Sequence, residues 1–136
     1  MKRTALLNRH LSALVASLGH LDEIVVADAG LPVPDGVRVI DLAVTPGVPG
    51  FHELLTALRS ELVIEGAVWA EEASVQLSTL MQSEVDFWAS ETGKKLTVSR
   101  LSHEDFKHRT RKARAVIRTG EVTPYANIIL ISGVAF

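Results

Sequence analysis

The sequence contains no cysteine, and this absence excludes whole classes of protein. Without a thiol among its 136 residues the chain can form neither a disulfide bond nor a thiolate metal site. A chain of this kind fits a cytoplasmic protein, which is the location we expect. Aromatic residues are also scarce, at 5%, so any hydrophobic core must be built mainly from aliphatic side chains.

Long apolar runs are absent as well. No apolar segment approaches the roughly 18 residues that a helix needs to cross a bilayer. The first residues, Met1-Lys2-Arg3, carry positive charge, but no continuous apolar segment and no small-residue cleavage site follow them. We therefore expect neither a membrane-spanning helix nor a signal peptide.

The chain lacks the positive charge that a nucleic-acid-binding protein needs. Its 14 Lys and Arg residues are outnumbered by 16 Asp and Glu residues, whereas binding to phosphates requires a basic surface. One local basic cluster predicts a solvated helix face, with an anion-binding or subunit-contact patch as the alternative. Its members are Lys107, His108, Arg109, Arg111, Lys112 and Arg114. We expect no nucleic-acid partner.

Several common cofactor and catalytic motifs are missing. The sequence has no G-x-G-x-x-G, no G-x-x-x-x-G-K-[ST] and no G-x-S-x-G. His103-Glu104 with His108 is similar to the zinc motif H-E-x-x-H, but the spacing of five residues turns the second imidazole about 140° around a helix. We expect neither a metal nor a cofactor.

What the chain has in excess is aliphatic side chains. Hydrophobic residues make up 47% of the composition, and the mean hydropathy is +0.22. A small domain buries only part of its surface, so this surplus predicts contacts between subunits and therefore a homo-oligomer. No repeat, low-complexity segment or linker interrupts residues 1–136, which we expect to form a single domain.

Apolar patterns predict helices that alternate with strands. Leucines recur at helical spacing up to Gly19, which we expect to cap the first helix, and residues 24–27 form a continuous apolar run typical of a strand buried on both faces. The predicted helices cover 5–18, 51–60, 71–90 and a segment beginning at Ser102; the predicted strands cover 24–27, 37–44, 62–69, 96–99, 113–118 and 127–132. This alternation predicts an α/β fold with a mainly parallel sheet flanked by helices on both faces.

Polar residues at the ends of the predicted strands are candidates for a ligand site, because ligands of open α/β sheets bind beyond the carboxyl ends of the strands. Asp28 follows the strand at 24–27, His103 follows the strand at 96–99, and Tyr125 and Asn127 flank the start of the last strand. Spacing alone also permits ordinary structural explanations: a turn for Asp28 and Asn127, a surface position for His103 and a packed loop for Tyr125.

His20 is a further candidate, and its position raises a geometric problem. It precedes the strand at 24–27, so a straight strand would place it at the opposite end from Asp28. Either residues 21–27 include a turn, or the two side chains meet through a neighbouring subunit. By spacing alone, His20 is better explained as a residue that complements a helix end than as a catalytic residue.

Six segments carry a resemblance that spans the chain, with a looser match over 54–98. They are 18–34 (LGHLDEIVVADAGLPVP), 41–43 (DLA), 47–49 (GVP), 102–107 (SHEDFK), 115–121 (AVIRTGE) and 124–130 (PYANIIL). In these segments the sequence resembles the D-ribose pyranases of the ribose/fucose mutarotase family. The L-fucose mutarotases share the Gly-His start, the Asp and a Tyr-x-Asn, but the loop Gly30-Leu31-Pro32-Val33-Pro34 is of the ribose type.

The resemblance implies a function and a role for each candidate residue. It implies interconversion of the β-pyranose and β-furanose forms of D-ribose, with His20 as the catalytic residue. It implies that Asp28 and His103 bind the sugar and that Tyr125 and Asn127 contact it near the chain's end. The alternatives are an L-fucose-type mutarotase and a non-catalytic sugar-binding module of a ribose transport system.

The resemblance also implies an assembly. This assembly is a decamer of two stacked pentameric rings, with the sugar sites near subunit boundaries. Such an arrangement would bring His20 and Asp28 together from different copies of the chain, and it agrees with the surplus of apolar residues.

Overall fold

A mixed sheet of six strands forms the centre of the computed structural model, which describes residues 1–136. Its strands are β1 (Glu23–Ala27), β2 (Val39–Asp41), β3 (Ile64–Ala70), β4 (Thr97–Leu101), β5 (Ala115–Arg118) and β6 (Ile128–Ser132). Their order across the sheet is β2-β5-β1-β6-β3-β4. β6 is antiparallel to both of its neighbours, β1 and β3, whereas all other pairings are parallel. The predicted α/β fold is confirmed, with one antiparallel strand inside a mainly parallel sheet.

Along the chain, the helices alternate with strands through most of the sequence, as the apolar patterns predicted. They are α1 (Arg9–Ser17), α2 (Phe51–Arg59), α3 (Val75–Thr92) and α4 (His103–Arg109), and a short 3₁₀ turn (Thr110–Lys112) follows α4. Side-chain caps begin three of them: Asn8 accepts from the N–H groups of His10 and Leu11, Ser74 from Leu77, and Ser102 from Asp105. None of these helices is long and apolar enough to span a bilayer.

Several predicted boundaries are wrong: the first helix begins at Arg9, and the strands predicted at 62–69, 96–99 and 113–118 lie at 64–70, 97–101 and 115–118. Three differences bear most on the fold. The first helix ends at Ser17 and Leu18 is extended, so Gly19 does not cap it. The strand predicted over 37–44 keeps only Val39–Asp41, and the Asp41 carboxylate pairs with Arg118 at 3.0 Å. The third helix begins at Val75, because Ser74 is its cap.

The two faces of the sheet are covered unequally. α1, α2 and α3 pack on one face around a cluster of 23 buried residues that includes Phe51, Trp69 and Trp88. The other face has a cluster of seven, in which Phe106 of α4 and Leu31 cover the central strands. Helices therefore lie on both faces as predicted, and the face under α4 is the thinner layer.

Candidate functional site

The carboxyl ends of the parallel strands meet at one edge of the sheet, and the antiparallel β6 begins there. We call this rim, which is formed by the ends of strands and not by an outer strand, the carboxyl edge. It comprises residues 28–30, 71–72, 102–103 and 119–127, which follow β1, β3, β4 and β5 or precede β6. Because β6 runs in the opposite direction, its first residues lie beside the last residues of β1. Four of the five predicted site residues lie on this edge: Asp28, His103, Tyr125 and Asn127.

Asp28 and Asn127 form a directly bonded pair. The Asn127 side chain is almost fully buried; its Oδ1 accepts from the Asp28 backbone N–H at 2.8 Å, and its Nδ2 donates to Asp28 Oδ2 at 3.1 Å. The other carboxylate oxygen, Oδ1, accepts from the Gly30 N–H at 2.9 Å. Asp28 is thus a turn residue as well as a site candidate. Its carboxylate is held rigidly at the end of β1 and keeps free lone pairs for a ligand.

His103 and Tyr125 form the second pair of the site. Their ring centroids lie 5.0 Å apart with the planes at 81°, an edge-to-face contact. Tyr125 has a left-handed backbone conformation (φ 64°), which is rare for a residue other than glycine. Its carbonyl accepts from the Asn127 N–H at 2.7 Å, so the same turn places Tyr125 against His103 and Asn127 against Asp28.

The buried nitrogen of His103 indicates which tautomer the ring adopts. Nδ1 is buried and has no hydrogen-bond partner. Placing the hydrogen there would bury an unsatisfied N–H, so the neutral ring carries its hydrogen on Nε2. The backbone N–H of His103 donates to both carboxylate oxygens of Glu72, at 2.8 and 3.1 Å, which anchors the start of α4 to the end of β3.

Glu121 organises the loop that carries Tyr125, and the sequence patterns did not identify it. One carboxylate oxygen accepts from the backbone N–H of Val122 and from both the N–H and the hydroxyl of Thr123 at 2.8–3.1 Å; the other accepts from the Phe51 N–H at 3.3 Å. Burial raises the pKa of the Glu121 carboxyl, but these hydrogen bonds outweigh burial and lower the pKa from its ordinary value. The only available signal was its place in the resembling segment 115–121.

Arg118 is a second organising residue that the patterns missed. Its Nε donates to the Ala29 carbonyl at 2.9 Å, and its Nη1 donates to Asp41 at 3.0 Å. The Ala29 N–H in turn donates to the Glu121 carbonyl at 2.8 Å. These contacts tie the turn after Asp28 to the ends of β5 and β2, so the carboxyl edge is a connected network.

His20 lies at the opposite edge of the sheet, as a straight strand requires. We call this the amino edge, and it comprises residues 19–22, 64–65 and 132–133. The five residues of β1 are all buried and regularly paired, and at about 3.3 Å each they separate His20 from Asp28 by roughly 16 Å. Leu21 has a left-handed conformation (φ 68°), but this turn leaves His20 bonded to Glu65 at 2.9 Å. Within one chain, His20 is therefore not part of the carboxyl-edge cluster.

The Asp28–Asn127 pair leads to a prediction about stability. Asn127→Asp keeps the acceptor for the Asp28 N–H but replaces the donating amide by a second carboxylate about 3 Å from the first. We expect the free energy of unfolding at neutral pH, measured with urea, to fall by about 1–3 kcal/mol. The double variant Asp28→Asn with Asn127→Asp restores one donor and one acceptor and should recover most of the loss. Equal stability of native protein and Asn127→Asp would contradict the pairing.

Comparison with known proteins gives matches along the whole chain. The RbsD / FucU transport protein family matches residues 1–135. The chain is 52% identical to the D-ribose pyranase of Vibrio vulnificus over 100% of both chains. The structure of Bacillus subtilis RbsD complexed with D-ribose matches at a TM-score of 0.89 with 43% identity, again over 100% of both.

A more distant structure shares the fold. The fucose mutarotase from Streptococcus pneumoniae, in complex with L-fucose, matches at a TM-score of 0.80 with 24% identity, over 98% of this chain and 99% of that one. At this identity the likeness shows a common fold alone.

Proposed function

The chain belongs to the RbsD / FucU transport protein family, and on that premise we propose that it is a D-ribose pyranase, an isomerase that interconverts the β-pyranose and β-furanose forms of D-ribose. The observation that carries the proposal is the 52% identity to a D-ribose pyranase over the full length of both chains. The 43% identity to a relative whose structure holds D-ribose supports the choice of sugar. The ribose-type loop at residues 30–34 supports it further.

The reaction needs proton transfer and no change of oxidation state. A proton must reach the ring oxygen of the pyranose while the anomeric hydroxyl loses one, so that the bond between C1 and the ring oxygen breaks and an aldehyde forms. After rotation about the chain, the C4 hydroxyl attacks C1, gives up its proton, and the carbonyl oxygen takes one. Imidazole, with an ordinary pKa near 6.5, both gives and takes protons at neutral pH.

In this proposal His20 is the general acid at the ring oxygen, and the carboxyl edge holds the sugar. Asp28 accepts a hydrogen bond from a sugar hydroxyl through a carboxylate that Asn127 keeps in place at 3.1 Å. The Nε2–H of His103 donates to another sugar oxygen, because Nδ1 is buried without a partner. Tyr125 packs on His103 and closes the site from the side of the loop that Glu121 supports.

The proposal requires a second copy of the chain, because roughly 16 Å separates His20 from Asp28 along β1. The amino edge of one copy must face the carboxyl edge of the next, and a head-to-tail contact of this kind forms a ring when the rotation between copies closes. Exposed apolar side chains support this contact: Leu21 beside His20 on the amino edge and Val122 on the carboxyl edge. Val44, also exposed, lines with Val122 an open cavity of about 290 Å³ beside Ala29. We propose the decamer of two pentameric rings that the family resemblance implies. We also propose a cytoplasmic location, with which the absence of cysteine agrees.

Saturation-transfer NMR on D-ribose tests the proposed activity. We expect catalytic amounts of the protein to accelerate exchange between the pyranose and furanose signals. A non-catalytic sugar-binding module would bind ribose without faster exchange, and that result would refute the enzymatic function. L-fucose is the comparison sugar: faster exchange for fucose than for ribose would favour the L-fucose-type alternative.

A further inference from the structure

Glu65 lies at an irregularity of the sheet that directs its side chain toward His20. The pairing of β3 with β6 shifts between Ile64, opposite Ser132, and Gly66, opposite Ile131, so Glu65 has no partner on β6. A bulge of this kind adds one residue and changes the direction of its side chain. At Gly66 a Cβ atom would lie 3.0 Å from Ile131 and 3.2 Å from the Thr97 carbonyl. Because glycine has no Cβ, residue 66 fits between these atoms, and Glu65 turns toward the amino edge.

The backbone around His20 is held by the same end of β6. The Leu21 N–H donates to the Ser132 carbonyl at 2.9 Å, and the Ser132 N–H donates to the Asp22 carbonyl at 2.8 Å. Asp22 Oδ2 accepts from the Gly19 N–H at 2.8 Å and closes the turn. Ser132 thus joins the His20 turn on one side to the start of β3 on the other. The two side chains meet because both backbones are attached to one strand end.

The contact between the two side chains assigns the nitrogens of His20. Nε2 lies 2.9 Å from Glu65 Oε2, and a carboxylate accepts hydrogen bonds and donates none. Nε2 therefore carries a hydrogen, and Nδ1 is the nitrogen left to exchange a proton with a ligand. The neutral ring then has an unprotonated Nδ1, and the charged ring has a proton there to give.

We propose that Glu65 is a positioning residue that holds the His20 ring so that Nδ1 is the reacting nitrogen. This inference rests on the proposed function, because it assigns the atom through which His20 acts. Glu65 does not touch the sugar in this scheme; it fixes the tautomer and the orientation of the ring that does. The simpler explanation is an exposed ion pair, since the two side chains are 54% and 36% exposed in the single chain, and such pairs contribute little to stability.

The experiment compares Glu65→Ala and Glu65→Gln with the native protein in ribose exchange and in ribose binding measured by calorimetry. We expect Glu65→Ala to lower kcat at least about tenfold, within the roughly 10²–10⁴-fold contribution of a positioned acid–base group, with the Kd for ribose unchanged. Glu65→Gln keeps an acceptor oxygen, and its kcat should lie between those of the native protein and Glu65→Ala. Glu61→Ala is the matched control, because Glu61 pairs with Lys2 and Thr4 on the surface; its kcat should equal the native value.

The ¹⁵N chemical shifts of the His20 ring give a readout that does not depend on activity. The native protein should show the tautomer with hydrogen on Nε2, and Glu65→Ala should show a mixture. A native kcat in Glu65→Ala, with or without a weakened Kd for ribose, would overturn the role of Glu65. So would a native tautomer with hydrogen on Nδ1. If the native protein itself does not accelerate exchange, the proposed function fails, and the tautomer measurement still decides whether Glu65 orients the ring.

Discussion

The His20→Ala variant is expected to exchange the ring forms of D-ribose about 10²–10⁴-fold more slowly than the native protein. The physical reason is the loss of the one group in the proposed mechanism that carries a proton to the ring oxygen. Ribose binding should survive, because in the proposed site Asp28, His103, Tyr125 and Asn127 of the carboxyl edge hold the sugar, and their mutual contacts do not involve His20. Saturation-transfer NMR measures the exchange and calorimetry the binding. Unchanged exchange in the variant would remove His20 from the mechanism.

Mixing two inactive variants tests whether His20 acts across a subunit boundary. Asp28→Ala should also lose activity. In a ring assembled from equal amounts of both variants, however, about a quarter of the subunit boundaries combine the intact amino edge of an Asp28→Ala copy with the intact carboxyl edge of a His20→Ala copy. We expect activity to return to about that fraction of the native value after joint refolding. The matched control mixes Asp28→Ala with His103→Ala: both changes lie on the carboxyl edge, so no boundary is intact and no activity should return. Failure of the first mixture to recover would rule out the shared site.

The Glu23→Gln variant is expected to lose stability well beyond the loss from an exposed ion pair. Glu23 begins β1 and is 6% exposed. Its carboxylate accepts from Arg109 Nη2 at 2.7 Å and Nε at 3.2 Å, with Lys112 Nζ at 3.2 Å. Gln keeps one acceptor oxygen but removes the charge that binds both cations. Because the side chains of Arg109 and Lys112 are 26% and 64% exposed, water compensates them in part, and we expect a loss of about 1.5–3 kcal/mol, as for a hydrogen bond to a charged group.

Urea denaturation measures this loss, and Glu61→Ala provides the comparison. Glu61 pairs with Lys2 at the surface at 2.8 Å, and exposed pairs contribute about 1 kcal/mol or less. A loss at Glu23 no greater than the loss at Glu61 would show that the Arg109 contact does not hold α4 to the sheet.

The same pair predicts how stability depends on pH. Burial raises the pKa of the Glu23 carboxyl, but Arg109 and Lys112 outweigh burial, and the pKa lies below its ordinary value of 4.5. A carboxyl whose pKa is depressed on folding contributes stability above the unfolded pKa and loses it as the pH falls through the folded pKa. The difference in free energy of unfolding between native protein and Glu23→Gln should therefore be constant near neutral pH and shrink below pH 4.5. A difference that grows on acidification would contradict this sign.

The organisation of the carboxyl edge could be predicted only in part. Asp28 and His103 directly follow strands that the apolar runs predicted, so their shared edge follows from the parallel arrangement. The hydrogen bonds of Glu121 and Arg118 could not be predicted in this way, because they join the loop at 118–123 to Phe51 and Ala29. Such contacts link residues some 70 to 90 positions apart, and no local pattern records them.

The sequence by itself records the periodicity of burial, which is a local property of the chain. It determined that helices alternate with strands, that residues 24–27 form a strand buried on both faces, and that Asp28 ends that strand. Only the tertiary structure decided that β6 runs against its neighbours, since the same apolar run IILIS can pair in either direction. The reversal places Asn127 and Tyr125 beside Asp28 at one edge and Ser132 beside His20 and Glu65 at the other. Strand direction and pairing depend on how distant segments come together, so they are decided by the fold as a whole.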